Sequence, residues 1–223
     1  MQTLDQFDFG PKLRRPITKA EIDAAQSPSL WDLGNSVLYN LCRDHPKHVA
    51  ANEIVAKIWL IGRSYAASIE RRKNVVEVGD EFYEASVAPA MIASAIDEWL
   101  RDCSVEESPG TPKTISVHKQ LMDLFASITD LDKRSLASKY LHFHLRDAFF
   151  IYDSRARQAI TKVVPRIDSL PEIAPETFDK EYKDFVRRCV WLRNEIFTAH
   201  AVWLTPREID KLLLAITGPG TGL

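Results

Sequence analysis

The chain is poor in the residues that mark most catalytic classes. Its 223 residues include eight glycines and three cysteines. The glycines form no phosphate-cradling loop, and no GxSxG elbow, HExxH pair or calcium-loop pattern occurs. Cys42, Cys103 and Cys189 are odd in number and form no CxxC pair, which argues against a disulfide framework. A reducing compartment, the cytoplasm, is the expected location. Positive charge is not in excess: 29 Lys and Arg stand against 31 Asp and Glu, for a net charge of −2. A general nucleic-acid footprint normally needs a basic surplus, so only local patches remain. The candidates are Arg63 with Arg71, Arg72 and Lys73, and Arg155 with Arg157, Lys162 and Arg166. The longest apolar run, 54–62, is too short to span a bilayer and contains Lys57. The N-terminal stretch MQTLDQFDFGPKLRRP has no apolar leader core. Neither a membrane partner nor a signal peptide is therefore expected. Paired strand runs with hairpin turns, internal repeats and low-complexity tracts are also missing.

What remains is an ordinary globular mixture, 45% hydrophobic and 27% charged. A chain this long can bury a core without disulfides or metals. Helical signals follow one another along it. TKAE at 18–21 reads as a capping box, with Thr18 as N-cap and Glu21 at N3. Leu30, Leu33, Val37, Leu38 and Leu41 recur at helical spacing over 28–44. The nearly all-apolar run 52–72 is expected at the centre, with Lys57 either paired to a carboxylate, the favoured reading, or lining a cleft. Residues 80–101 repeat the pattern until Pro89, which should kink or split the helix. The clearest loop is 103–113, with Pro109, Gly110 and Pro112. Further helices are predicted over 114–128, 135–146, 154–164 and 177–203. A last one opens at TPRE, with Thr205 as N-cap and Pro206 at N1. FFIYDS at 149–154 is strand-like in composition but has no partner, and reads as an extended link. The expectation is one all-α domain over 1–223 with about eight helices. It is a compact multi-helix domain, or two helical lobes with a cleft between them and a boundary near 103–113.

The most chemical stretch is SLASKYLHFHLRDAFFIYDSRA, 135–156. On a helix, Lys139, His142, Phe143 and Arg146 share one face at i, i+3, i+4 and i+7. His142 and His144 diverge, so they make no metal pair, and no metal site is expected. Lys139 can be a nucleophile if burial or neighbouring cations lower its pKa, and His142 and Arg146 are the neighbours. Asp153 stands where a helix N-cap is needed, and its carboxylate could also stabilise a cation or activate water.

The order lysine helix, turn, aspartate, helix resembles the helix-hairpin-helix DNA glycosylase superfamily. More narrowly, SLASKYLHFH, FFIYDSRA and the late REIDKLLL (Arg207 to Leu214) are similar to bacterial proteins described as 8-oxoguanine-glycosylase-like. The resemblance covers about a third of the chain, mostly 130–160 and 200–216. It implies two helical lobes around a cleft that takes a flipped DNA base. It also implies Lys139 as the nucleophile at the sugar C1′ and Asp153 as the carboxylate that stabilises the oxocarbenium-like state. His142, Arg146, Tyr152 and Arg155 are the candidate substrate-binding residues. DNA is the implied partner, and no cofactor is expected. The turn before Lys139, TDLDKRSLAS, has no glycine, where the family usually holds a phosphate.

WLRNEIFTAH, 191–200, offers an alternative. Arg193 and His200 lie two turns apart on one helix face. An Arg-Asn followed by a His resembles HEPN-type ribonucleases, in which these residues meet at a dimer interface and cleave RNA. The third expectation is a helical interaction module without chemistry.

Overall fold

A computed structural model describes residues 11–71, 79, 81–103, 107–174 and 178–218. The fold is all-α. Ten α-helices occur among the described residues: α1 (Lys19–Gln26), α2 (Asp32–Asp44), α3 (Ala51–Ser64), α4 (Ala88–Ala93), α5 (Ile96–Asp102), α6 (Pro112–Thr129), α7 (Arg134–His144), α8 (Ser154–Val163), α9 (Lys180–His200) and α10 (Pro206–Thr217). None is long and apolar enough to cross a membrane.

The capping boxes at Thr18 and Thr205 form as the sequence indicates, each satisfying two backbone donors. The single helix expected over 80–101 divides in two. Residues Tyr83–Val87 widen to a π-turn ahead of Pro89, which cannot donate a helical N–H, and the chain breaks again at Ser94. Gly110 opens α6 at φ 93°, and a Cβ there would fall 2.6 Å from a Val190 methyl. Only glycine fits that turn.

The helices enclose two apolar cores. The first gathers α1, α8, α9 and α10, so the two ends of the described chain pack together. The second gathers α2 to α7. Cys103 lies in the second core, while Gly110 packs against Val190 and Ile115 lies in the first, so the described part of the 103–113 loop passes between the cores. The chain also passes between them at 27–31 and at 149–152. Within α6, Ile115 belongs to the first core and Val117 to the second.

Residues 149–152 are extended and completely buried. Their side chains alternate as in a strand: Phe149 enters the second core, Phe150 and Tyr152 the first. Among the described residues no strand lies beside them, so side chains must satisfy their backbone. Ser138 Oγ accepts from the Tyr152 N–H at 3.0 Å. His142 Nδ1–H donates to Phe149 O at 2.8 Å, and the Tyr182 hydroxyl donates to Phe150 O at 3.2 Å. Ser138 and His142 are one turn apart on α7, whose residues Leu136 to Phe143 are all buried.

Lys57 is buried on α3 and donates to His45 O and Lys47 O, both at 2.8 Å. A carboxylate partner is what the sequence suggests. The ammonium instead satisfies carbonyls at the end of α2, where the last turn leaves acceptors open.

Because α6 and 149–152 serve both cores, the protein should unfold in one calorimetric transition. Leu121→Ala in the second core and Ile160→Ala in the first should each cost about 2–5 kcal/mol and shift that same transition. Two resolved peaks, each moved by one substitution alone, would contradict the shared segment.

Candidate functional site

Between the two cores lies a cleft of about 1030 Å³. Its floor is built by the N-terminal turns of α7 and α8 and by Tyr65 at the end of α3. Lys139 and Asp153 both line it.

Lys139 is 2% exposed. Its Nζ donates to Ser135 Oγ at 2.8 Å and to Tyr65 O at 3.3 Å, and lies 5.6 Å from the Tyr65 ring centre. Burial lowers its pKa from 10.5, while Asp153 and Asp210 act in the opposite direction. The cause differs from the cationic neighbours read from the sequence. The nearby charges are carboxylates, and desolvation outweighs them. Asp153 is half-buried and caps α8 by accepting from Ala156 N at 2.7 Å. The cap orients the carboxyl and holds it at the cleft wall.

Tyr152 and Arg155 also line the cleft. The Tyr152 hydroxyl donates to Glu181 at 3.1 Å, and Arg155 Nη2 donates to Gly218 O at 2.9 Å. His142 and Arg146 do not join them. His142 is fully buried, with Nε2 accepting from the Tyr39 hydroxyl at 2.6 Å while Nδ1–H holds Phe149. Burial pushes it down to about 4, so it is neutral. Arg146 is exposed, pairs with Asp147 at 3.3 Å, and faces a separate pocket beside Tyr39 and Arg43. Residues seven apart on α7 diverge because the helix ends at His144, before Arg146.

Asp210, within the REIDKLLL segment but not among the expected site residues, sits beneath this wall and acts on both Lys139 and Asp153. It is 2% exposed, pairs with Arg207 Nη1 at 2.6 Å, and leaves Oδ1 without a hydrogen bond. Burial raises its pKa to about 7, against the pull of Arg207 and Lys139. A signal was available: Pro206, Ile209, Asp210 and Leu213 form one helical stripe, and a carboxylate in that stripe has to be buried.

Arg193 and His200 meet different partners. Arg193 is buried, 4.2 Å from the Trp203 ring centre and 5.5 Å from that of Phe150. His200 Nε2 bonds to Ile17 O at 3.0 Å. Of the two basic patches, Arg155 and Arg157 reach the cleft. Arg63 pairs with Glu70 at 2.5 Å, and Arg72 and Lys73 lie outside the described residues. No group of three or more metal-ligating side chains occurs among the described residues. Comparison with protein-family models, with curated proteins and with solved structures found no match.

Asp210 gives a signed pH dependence. Its folded pKa is raised, so its contribution to stability is fully present below about pH 4 and is lost as pH rises through about 7. Asp210→Asn removes this term. In chemical denaturation, the variant's stability relative to the native chain should climb between pH 4 and 7 and level off above. A difference that is flat with pH would contradict the buried, protonated carboxyl.

Proposed function

We propose that the protein is a DNA-glycosylase-like enzyme that binds DNA and excises a damaged or modified base. One observation carries the reading: an amine with a depressed pKa stands on the wall of an open cleft, beside a capped carboxylate from the next helix. Such a pair suits displacement at a sugar carbon. A flipped nucleotide presents C1′ to Lys139. The amine attacks C1′ and the C1′–N bond breaks, its electron pair leaving with the base. The net proton lost by the amine goes to the departing base. Ring opening of the resulting aminal then gives a Schiff base. Asp153 stabilises positive charge on the sugar as the bond breaks. If water replaces the amine as nucleophile, Asp153 is its base and no Schiff base forms. The resemblance of 135–156 and 207–214 to 8-oxoguanine-glycosylase-like proteins agrees with these roles. The three cysteines are free and buried, in keeping with a cytoplasmic setting.

The test is borohydride trapping, together with analysis of released bases, on oligonucleotides carrying oxidised, deaminated or alkylated bases. The native protein should release one class of base, with a trapped adduct if the amine is the nucleophile. Lys139→Met removes a buried charge at similar volume, so it should fold with an undiminished Tm and form no adduct. Asp153→Asn keeps the cap and should lower base release about 10²- to 10⁴-fold. No release and no adduct across the panel, with no DNA binding at low salt, would leave a helical interaction module in its place.

A further inference from the structure

The cleft has two chemically different walls. From α2 and α3 it is lined by Trp31, Val37, Leu38, Leu60 and Tyr65, with no charged side chain among the described residues. Every charged lining residue comes from the other wall, on α7, α8, α10 and the segments that open them. There Arg155, Arg157 and Arg207 accompany Lys139. Trp31 is 75% exposed, and Leu30 and Leu33 beside it are 100% and 78% exposed. Leu30 and Leu33 belong to the apolar stripe that the sequence periodicity shows over 28–44, and both are left open to solvent. A volume of about 1030 Å³ is at the top of the range for drug-sized ligands, so it holds more than one nucleotide.

We infer that the cleft is a track for an unpaired nucleic-acid strand, with bases stacked along the Trp31 wall and phosphates on the Arg155–Arg157–Arg207 wall. The inference rests on the DNA reading and names its substrate as single-stranded DNA. A single strand has an apolar base side and an anionic backbone side, which match the two walls. In a duplex the base faces are covered by each other, and the apolar wall would have no partner. On the charged wall Arg155 and Arg157 are exposed. Arg157 Nη2 stands 3.7 Å from Glu181 and Arg207 Nη1 pairs with Asp210 at 2.6 Å, while Arg155 Nη2 donates to the Gly218 carbonyl and meets no carboxylate at that contact. Arg134 belongs to the structure rather than the track, being held by Asp179 at 2.5 Å and Glu181 at 2.9 Å.

The test is fluorescence anisotropy of the full chain with a labelled 15-nucleotide thymidine strand and with its duplex, at several salt concentrations. The single strand should bind more tightly than the duplex. Trp31→Ala, at an exposed site, should weaken strand binding roughly 5- to 150-fold, the range for losing one stacked base. Arg155→Ala with Arg157→Ala should flatten the salt dependence by about 0.7 for each phosphate they no longer neutralise. Arg43→Ala, outside the cleft, should change neither. Binding without base release from any modified strand would remove the glycosylase reading and leave the track. Base release unaffected by Trp31→Ala and the arginine pair, or equal affinity for strand and duplex, would overturn the track and leave the glycosylase reading.

Discussion

The structure depends on two side chains of α7, one turn apart, holding a buried extended segment. Ser138 takes the N–H of Tyr152 and His142 supplies a proton to Phe149 O. Without them, residues 149–152 would bury backbone groups at a cost of about 1–3 kcal/mol each. With them, the segment can cross between two cores, Phe149 entering the second and Phe150 and Tyr152 the first. The crossing fixes where α8 begins, and so where Asp153 stands relative to Lys139 on the clamping helix. The same residues that look chemical in the sequence are thus divided between two tasks. Ser138 and His142 build the crossing, and Lys139 faces the cleft.

Four lysines are buried among the described residues, and their surroundings differ. Lys57 and Lys133 are each held by two backbone carbonyls, and Lys183 meets Glu172 at 3.3 Å. Lys139 has one hydroxyl and one longer contact to a carbonyl, and of the four it alone lines the cleft. Burying an ammonium on neutral acceptors alone is costly, and here the group borders a space large enough for a ligand. Asp210 beneath it is costly in the same way, with one oxygen unbonded.

Much of this was legible in the sequence, because helix caps and apolar periodicity are local. Thr18, Thr205 and the extended FFIY link follow from chemistry within a few residues. Lys139 and Asp153 could be singled out by type and spacing. The roles of His142 and Arg146 could not be read that way. Sharing a helix face fixes only a direction, while partners far along the chain, Tyr39 and Phe149 for His142, decide where the ring goes. The union of α1 and α10, the first and last described helices, in one core is likewise non-local. The α2 stripe was visible as apolar, but only tertiary packing shows that Leu30 and Leu33 stand in solvent and that Val37 lines the cleft instead of filling a core.

The central claim is that burial on the cleft wall holds the Lys139 amine below the ordinary lysine value. Titration of that side chain by NMR, assigned by comparison with Lys139→Met, tests it directly. The account predicts a midpoint below 10.5 in the free protein. A midpoint at or above 10.5 would mean that the carboxylates prevail over burial, and the cleft would then hold a permanently charged ammonium in place of a nucleophile.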